Sequence, residues 1–459
     1  MNLFTKLKNI VTTSRITNDP AELYCYSSDA SYIRGTPDYV VMPCNTAEVS
    51  EIVKLANKHR IPLVARGAGT GLAGGAVPLC GGIVLDMSRM NKIIDIDILD
   101  LQVEVEPGLI HADLNRALEP HGFFFPPDPG SSEMCTLGGL IANRGSGMRS
   151  VKYGTVTDYV LDLEIVMPDG AVIWTGGRVM KSASGYDLTA LMVGSEGTLG
   201  VITRARLKIH PLPEVRAAVL AHFNDQEAAG RTVSAIMSSG IVPSACELMD
   251  STTIKAINTY DAELGLPDCE ALLLIEVDGA QCSIESDAAS VANCCRELGA
   301  FDVKIAHSEV EMKELWAARR LAGAAVTRLN PGKTRVYIGE DVAVPLSAIP
   351  QMLKKIRAIS RKHDLTIMTY GHAGDGNLHT GMAIDTLDKD QWDVLKRAAD
   401  DIHKAALELG GTVSGEHGIG SARGEYMNQE HGGALDVMIA IKKALDPHNI
   451  MNPQKVGLE

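Results

Sequence analysis

Aromatic residues make up only 4% of this 459-residue chain, no CxxC pair occurs, no stretch approaches the length of a membrane span, and no basic cluster stands out. Each absence excludes something. Without ~18 consecutive apolar residues nothing crosses a bilayer as a helix. MNLFTKLKNIVTTSRIT, at the N-terminus, has no apolar core long enough for a signal peptide. The nine cysteines (25, 44, 80, 135, 246, 269, 282, 294 and 295) are odd in number, and their spacing suggests neither a disulfide framework nor an iron–sulfur cluster. Reduced, mostly buried thiols in a cytoplasmic protein are the expectation. A net charge of −14 argues against nucleic acid as a partner. What remains is 45% apolar residues, ample for sizeable cores in two or three domains.

The most informative segment is GHAGDGNLHT (371–380), followed by SGEHGIG (414–420). Asp375-Gly376 predicts a two-residue type I′ hairpin, in which both central positions need positive φ. Paired residue numbers then sum to 751, which sets His372 directly opposite His379; a four-residue loop with the same centre keeps that register. Opposed Cβ atoms lie roughly 4.5–5.5 Å apart, close enough for two imidazoles to converge on one ion. Glu416 and His417, between Gly415 and Gly418, add a carboxylate and a third imidazole. Two His and one carboxylate form a recurrent metal set that leaves positions open for substrate. A His pair on a glycine-rich turn could also be polar surface. Three histidines and a glutamate among six glycines are a costly arrangement for a mere turn, so the metal reading is preferred.

Along the chain, Thr46 is expected to cap an amphipathic helix, AEVSEIVKLANKHR, with Val49, Ile52, Val53, Leu55 and Ala56 on its apolar side. IPLVAR (61–66) and GIVLDM read as strands flanking GAGTGLAGGAVPLCGG, and YVLDLEIVMPDGAVIW (159–174) as a hairpin turning at Pro168-Asp169-Gly170. HPLPE (210–214) marks a boundary. Beyond it, strand-like runs at 216–223, 271–278, 302–307, 335–344, 365–371 and 378–384 alternate with helical stretches at 225–239, 282–298, 310–328, 347–363 and 388–409. This pattern predicts an α+β domain resembling a ferredoxin-like sheet with helices on one face. A last helix is expected near 433–445.

Gly69-Thr-Gly71-Leu-Ala-Gly74 matches G-x-G-x-x-G after a strand, but a dinucleotide fingerprint must also open a helix and be followed by an acid about 20 residues on. Pro78, Gly81 and Gly82 block a helix here, and Asp86 arrives too early, so NAD is disfavoured. Such a loop between strands can still cradle phosphate with its free N–H groups. PPDPGSSEMCTLGGLIANRGSGMRSVKYGT (126–155) is a second glycine-rich piece. Either loop alone could be merely irregular; two in one domain point to a large phosphate-bearing cofactor.

RGAGTGLAGG, PPDPGS, TLGGLIANRGSG, YGTVTDYV, GSEGTLGVIT, LWAARR, DVAVP, GHAGDGNLH and SGEHGIG occur in that order. From about residue 20 to 457 the chain thus resembles the FAD-linked D-2-hydroxyacid dehydrogenases of the vanillyl-alcohol-oxidase superfamily: glycolate oxidase flavoprotein subunits, D-lactate dehydrogenases and D-2-hydroxyglutarate dehydrogenases. The resemblance implies an α+β protein with a two-part FAD-binding domain of the vanillyl-alcohol-oxidase (PCMH) type at 1–212. It also implies a ferredoxin-like cap at 213–411 and a C-terminal helical segment, 412–459, returning to the FAD side. It carries the flavin contacts onto Arg66, Gly67, Gly69, Thr70, Gly71 and Gly75; onto Pro129, Gly130, Ser131, Thr136, Gly138, Gly139, Ala142, Asn143 and Gly147; and onto Gly197 and Ile202. Thr70 stands near the place where superfamily oxidases that bind FAD covalently carry a His, so non-covalent FAD is expected.

Oxidising a 2-hydroxyacid requires removing a hydroxyl proton. The gap between an imidazole and an alcohol is roughly nine pKa units, about 12 kcal/mol, which a divalent metal (Zn, alternatively Mn or Fe) can close. His372, His379 and Glu416 are assigned as ligands and His417 as the base. Having Glu416 and His417 serve one site needs a distorted backbone, because neighbours on an ideal strand face opposite ways. The resemblance places Arg319 on the substrate carboxylate, with Arg320 solvent-facing or in an ion pair. Asn377 either touches substrate or satisfies the turn. Hydroxyglutarate specialists carry a Lys shortly before the D-x-x-x-P motif and an Asn two residues past the second His. Ile338-Gly339-Glu340 and Gly381 stand here instead, favouring D-lactate or glycolate over a dicarboxylate, unless Lys333 or Arg335 compensates. Electrons must leave through a partner: an iron–sulfur subunit, an electron-transferring flavoprotein, or membrane quinone through another protein. A homo-oligomer and a peripheral membrane position through that partner stay open. So do a metal-dependent hydrolase without redox chemistry and a non-catalytic subunit.

Overall fold

In the computed structural model, which describes residues 3–458, the first long helix, Thr46–His59, is capped by Asn45 and not by Thr46. The Asn45 side chain accepts from the Glu48 N–H at 3.0 Å. Thr46 is the first helical residue, and its hydroxyl donates to Glu164 at 2.5 Å. Val49, Ile52, Val53 and Ala56 are buried on the inner face of this helix, in one core with Leu63, Ile83 and Leu85.

The chain divides into two units, each with its own core. The first comprises Met1–Ser146, Gly154–Leu212 and Glu416–Glu459; the second comprises Gly147–Tyr153 and Pro213–Gly415. In the first unit a four-stranded sheet runs in the order Ile16–Thr17, Tyr39–Val41, Ile83–Asp86, Leu63–Arg66, and its last three strands are parallel. A five-stranded antiparallel sheet follows in the order Ile93–Asp97, Gln102–Val105, Val201–Lys208, Val160–Val166, Val172–Trp174. Residues 67–82, between two parallel strands, contain no helix, so the glycine loop lacks the Rossmann geometry. The segment from Glu416 onward returns to this first unit. The Leu63 N–H donates to Ile450 O at 2.7 Å and the Asn452 N–H to Leu63 O at 2.8 Å. The helix Gly433–Leu445 lies within that return.

The second unit carries strands labelled here in chain order: β1 Val215–Phe223, β2 Ala245–Asp250, β3 Ala271–Gly279, β4 Ala300–Ala306, β5 Thr334–Val336, β6 Val342–Ala343, β7 Met368–His372 and β8 Asn377–Ile384. Its helices are α1 Gln226–Ser238, α2 Ser251–Tyr260, α3 Ile284–Glu297, α4 Glu309–Leu329, α5 Ile349–His363 and α6 Lys389–Glu408. The strand order is β4-β1-β3-β2-β7-β8-β5, with β6 on β8. The first four strands, joined through α1 and α3, have the ferredoxin-like order.

Helices cover both faces of this sheet, not one. Ala217, Val219, Ala221 and Phe223 of β1 pack into a core with α1, α3, α5 and α6. Ala218 and Leu220 pack into another with α2 and α4. The reason is in the strands themselves: ALLLI of β3 is buried throughout and has no polar face to offer water. Each of its Leu and Ile side chains contributes about 1.5–3 kcal/mol when fully buried. The strand expected over 335–344 is broken into β5 and β6 by Gly339 and Asp341, at φ +67° and +69°. β2 and α2 are absent from the sequence reading. STTIKAINTY is rich in β-branched residues and poor in helix formers, and its start is set by the Asp250 side chain, which accepts from the Thr253 N–H at 2.8 Å. Among the described residues no helix is long and apolar enough to cross a membrane.

Candidate active site

In the second unit, β7 and β8 pair with Tyr370 opposite His379 and Thr369 opposite Thr380, so paired numbers sum to 749 and not 751. The type I′ turn does not form. Ala373–Asp375 make one 3-10 turn, and of the turn residues only Gly376 has positive φ, +85°. A β-carbon at Gly376 would come within 2.0 Å of Val344 O, so no other residue fits there. The hairpin centre thus moves one residue toward the N-terminus. Because side chains alternate with period two, this shift leaves His372 and His379 on one face. They meet diagonally, with ring centroids 5.1 Å apart and planes nearly perpendicular.

β2 lies on the other side of β7 and sets Glu247 opposite His372. Glu247 is fully buried and has two partners: His372 Nδ1–H donates to it at 2.6 Å and Arg319 Nε–H at 2.5 Å. Burial opposes the charge on Glu247, but Arg319 and His372 outweigh it and hold the carboxyl at about 2. A carboxylate on one ring nitrogen is the arrangement that orients metal-ligating imidazoles. Arg319 comes from α4 and lies over the Tyr370 ring, 5.1 Å from its centroid. Arg320, its neighbour, is exposed and donates to Lys313 O at 3.0 Å, outside this cluster.

Asp341, also fully buried, accepts from Asn377 Nδ2 at 3.0 Å and from the Ser414 hydroxyl at 2.8 Å, and its carbonyl accepts from the Gly415 N–H at 2.8 Å. Its carboxylate stands 3.9 Å from His379 Nδ1, too far for a hydrogen bond and within the span of two ligands on one ion. The positive φ of Asp341 is strained for a residue with a β-carbon, by about 1–3 kcal/mol, as residues at functional sites often are. Asn377 is committed through its amide N–H groups to Asp341 and Val342 O.

In the first unit, Glu416 accepts from the Ser146 hydroxyl at 3.1 Å, and His417 Nε2 lies 3.4 Å from Glu416. The backbone of 414–420 forms no strand, and Gly418 and Gly420 take positive φ, which is the distortion this pair requires. Glu196 holds the segment: its buried carboxylate accepts from the N–H groups of Ile419 and Gly420, both at 2.8 Å. Burial pushes this carboxyl up, while the two amides, Arg423 and Lys455 pull the other way. Asn452 Nδ2 donates to Gly75 O and Glu196 O at 2.9 and 2.7 Å. The N–H groups of Ser421 and Ala422 donate to Ala73 O. The glycine loop and the Glu416–His417 segment are therefore stitched together. Replacing Glu196 with Ala leaves two buried amides unsatisfied, each costing about 1–3 kcal/mol. The expected outcome is a lower denaturation midpoint of the holo-protein together with FAD loss on gel filtration; a variant that matches the parent in both contradicts this account.

The remaining flavin candidates of this unit line its two glycine-rich pieces. Arg66 ends its strand buried, with its guanidinium over the Tyr26 ring at 5.6 Å, and Tyr26 donates to Asp86. Gly69, at φ +71°, lets the loop fold back on Arg66, where a β-carbon would come within 2.2 Å of Nη2. Thr136 caps the short helix Leu137–Ala142, which contains Gly138 and Gly139, and Asn143 ends it. A β-carbon at Gly71 or Gly197 would meet nothing closer than 3.6 Å, and one at Gly130 nothing within 4 Å, so the backbone there is open to close approach by a ligand. This fits a dinucleotide cradle built from backbone N–H groups. Pro129, Ser131 and Ala142 lie in the same stretches, with Gly67, Thr70 and Gly75 in the first loop and Ile202 opposite Ile165 in the five-stranded sheet. Gly147 is the exception, clustering with the second unit in Gly147–Tyr153.

The chain matches the family model described as FAD linked oxidases, C-terminal domain, over residues 212–456, and that of an FAD binding domain over residues 37–176. It is 43% identical over 436 residues to the glycolate oxidase subunit GlcD of Bacillus subtilis (strain 168), covering 95% of this chain and 92% of that one. The chain belongs to the FAD-linked D-2-hydroxyacid dehydrogenase family. As such it is an FAD-linked oxidoreductase. A further relative of this family, the mitochondrial D-lactate dehydrogenase (cytochrome) of Arabidopsis thaliana, is 35% identical over 458 residues, covering 99% of this chain and 80% of that one. Among solved structures, 4-ethylphenol oxidase from Gulosibacter chungangensis superposes with a TM-score of 0.80 at 19% identity, covering 99% of this chain and 96% of that one. That likeness establishes the vanillyl-alcohol-oxidase type of fold. Within this dehydrogenase, sequence reasoning missed Glu247, Tyr370 and Glu196 and took Asp341 only as a landmark of the D-x-x-x-P motif. The available signal for Glu247 is an acid amid the apolar residues of CELMD.

Proposed function

We propose that this chain oxidises a small D-2-hydroxyacid, D-lactate or glycolate, to the 2-oxoacid, with non-covalent FAD and a divalent metal. The observation that carries the reading is the Glu247 bridge: one buried carboxylate orients both a candidate metal-ligating imidazole, His372, and the candidate carboxylate clamp, Arg319. His372, His379 and Glu416 are the ligands proposed here, with Asp341 as a further oxygen donor beside His379. Bound FAD supplies a two-electron acceptor, and a bound divalent ion supplies a Lewis acid that lowers the pKa of a hydroxyl. Arg319 has Nε committed to Glu247, so its Nη edge is the one that grips the substrate carboxylate. His417 takes the hydroxyl proton, oriented by the Glu416 beside it. Asn377 acts by holding Asp341.

Two packing details favour a small substrate over D-2-hydroxyglutarate. A β-carbon at Gly339 would strike the Ala399 backbone at 2.6 Å, so that position faces α6. A β-carbon at Gly381 would meet Met368 at 3.2 Å and Val326 at 3.7 Å, in apolar surroundings. Neither position offers room for the cation or amide of a dicarboxylate reader. The electron acceptor is proposed to be a partner protein, an iron–sulfur subunit or an electron-transferring flavoprotein, and the location cytoplasmic. Anaerobic titration with D-lactate, glycolate, D-2-hydroxyglutarate and L-lactate should bleach the flavin with one of the first two. Chelation should slow bleaching, and adding back Zn, Mn or Fe should restore it. A demonstrably metal-free protein that bleaches at full rate removes the metal from this proposal, and bleaching by L-lactate alone removes the D-specificity.

A further inference from the structure

We infer that Tyr370, held by Arg335, is a positioning residue for Arg319 and hence for the grip on the substrate carboxylate; this rests on the reading of Arg319 given above. Tyr370 is buried at the middle of β7, and two guanidiniums lie against its ring: the carbon of Arg319 at 5.1 Å from the centroid and that of Arg335 at 5.7 Å. Arg335 donates through Nη2 to the Tyr370 hydroxyl and through Nη1 to Gly323 O, both at 2.6 Å, and Glu340 stands 3.6 Å from it. The ends of the Arg335 fork are thus spent on the phenol and on a carbonyl one turn beyond Arg319 on α4. Arg335 does not compete for the substrate.

A guanidinium held only through Nε can still swing about that bond, and a carboxylate needs both Nη groups in one plane. Contact with the Tyr370 ring removes that freedom. The ring in turn cannot move, because its hydroxyl is tied to Arg335 and its other neighbour is the His379 ring, 5.5 Å away. Docking of α4 does not depend on this contact, since Ala318, Ala322 and Ala325 already bury its inner face. The pair therefore acts on the orientation of Arg319.

The test uses the FAD-loaded enzyme with whichever acid of the four bleaches fastest, rates normalised to bound flavin and metal content checked in each variant. Tyr370→Leu is expected to raise KM about tenfold with kcat changed less than about threefold, and Tyr370→Phe, which keeps the ring, to raise KM only about threefold. Arg335→Lys should track Tyr370→Phe. On an Arg319→Gln background, Tyr370→Leu should add nothing, because its effect runs through Arg319. Arg319→Lys serves as the background if Arg319→Gln does not fold. Additive losses, or a fall in kcat with KM unchanged, overturn the inference, as does an unchanged KM in Tyr370→Leu. If Arg319→Gln itself leaves KM unchanged, or if no acid bleaches the flavin, the reading of Arg319 fails and this inference with it. If Arg319→Gln raises KM and Tyr370→Leu does not, only the positioning role is lost.

Discussion

His417→Ala should lower the rate of flavin reduction by about 10²–10⁴ while FAD stays bound, the range that general-base catalysis supplies. His417 is the one imidazole of the GEHGIG segment, and it projects from irregular backbone fixed on both sides: Glu416 is held by Ser146, and Ile419 and Gly420 are held by Glu196. Those anchors run through the Glu416 side chain and the backbone of Ile419 and Gly420, so truncating the His417 ring tests the proposed proton acceptor with these anchors still in place. Stopped-flow reduction under anaerobic conditions, with flavin content measured in parallel, reads the two effects apart. A variant that reduces its flavin within tenfold of the parent assigns the proton to another group. One that loses FAD shows that the ring holds the segment together.

Glu247→Ala is expected to be the most damaging single change in the second unit, costing about 3–5 kcal/mol of stability, because it leaves the buried His372 and the partly buried Arg319 without their shared counter-ion. The carboxyl is held at about 2 against an ordinary value of 4.5. A lowered value means the stabilisation is complete above the ordinary glutamate range and is lost as pH falls through about 2. At neutral pH the full penalty should therefore appear in urea or thermal denaturation of the variant. The same substitution should lower kcat/KM more than any change at an exposed residue such as Arg320, since it frees the proposed metal-ligating imidazole and the proposed carboxylate clamp together. A stability loss under about 1 kcal/mol would show that neither partner depends on the bridge.

How much of this was legible in the chain follows from what each feature depends on. The glycine loop could be read as non-Rossmann because Pro78, Gly81 and Gly82 act locally on the backbone. The convergence of His372 and His379 was legible although the turn type and register were not, because a displacement by two preserves the face of every side chain. The cap at Asn45 was missed by one position, since Asn and Thr both suit the role and only the Glu164 partner of Thr46 decides between them. Glu247 was out of reach altogether. Its partners lie 72 and 125 residues away in the sequence, and β2 neighbours β7 only through the strand order of the sheet. The strain at Asp341 and the Tyr370 contact with two arginines likewise arise from tertiary packing.

The stitching of the first unit also bears on how the protein is made. Leu63 pairs with Ile450 and Asn452, and Asn452 reaches back to the carbonyl of Gly75. These contacts close loops of several hundred residues, a slow and entropically costly class of event. During synthesis the glycine loop emerges 377 residues before Asn452, which anchors it at Gly75. The loop expected to cradle FAD is therefore fully anchored only once Asn452 has been made and has docked.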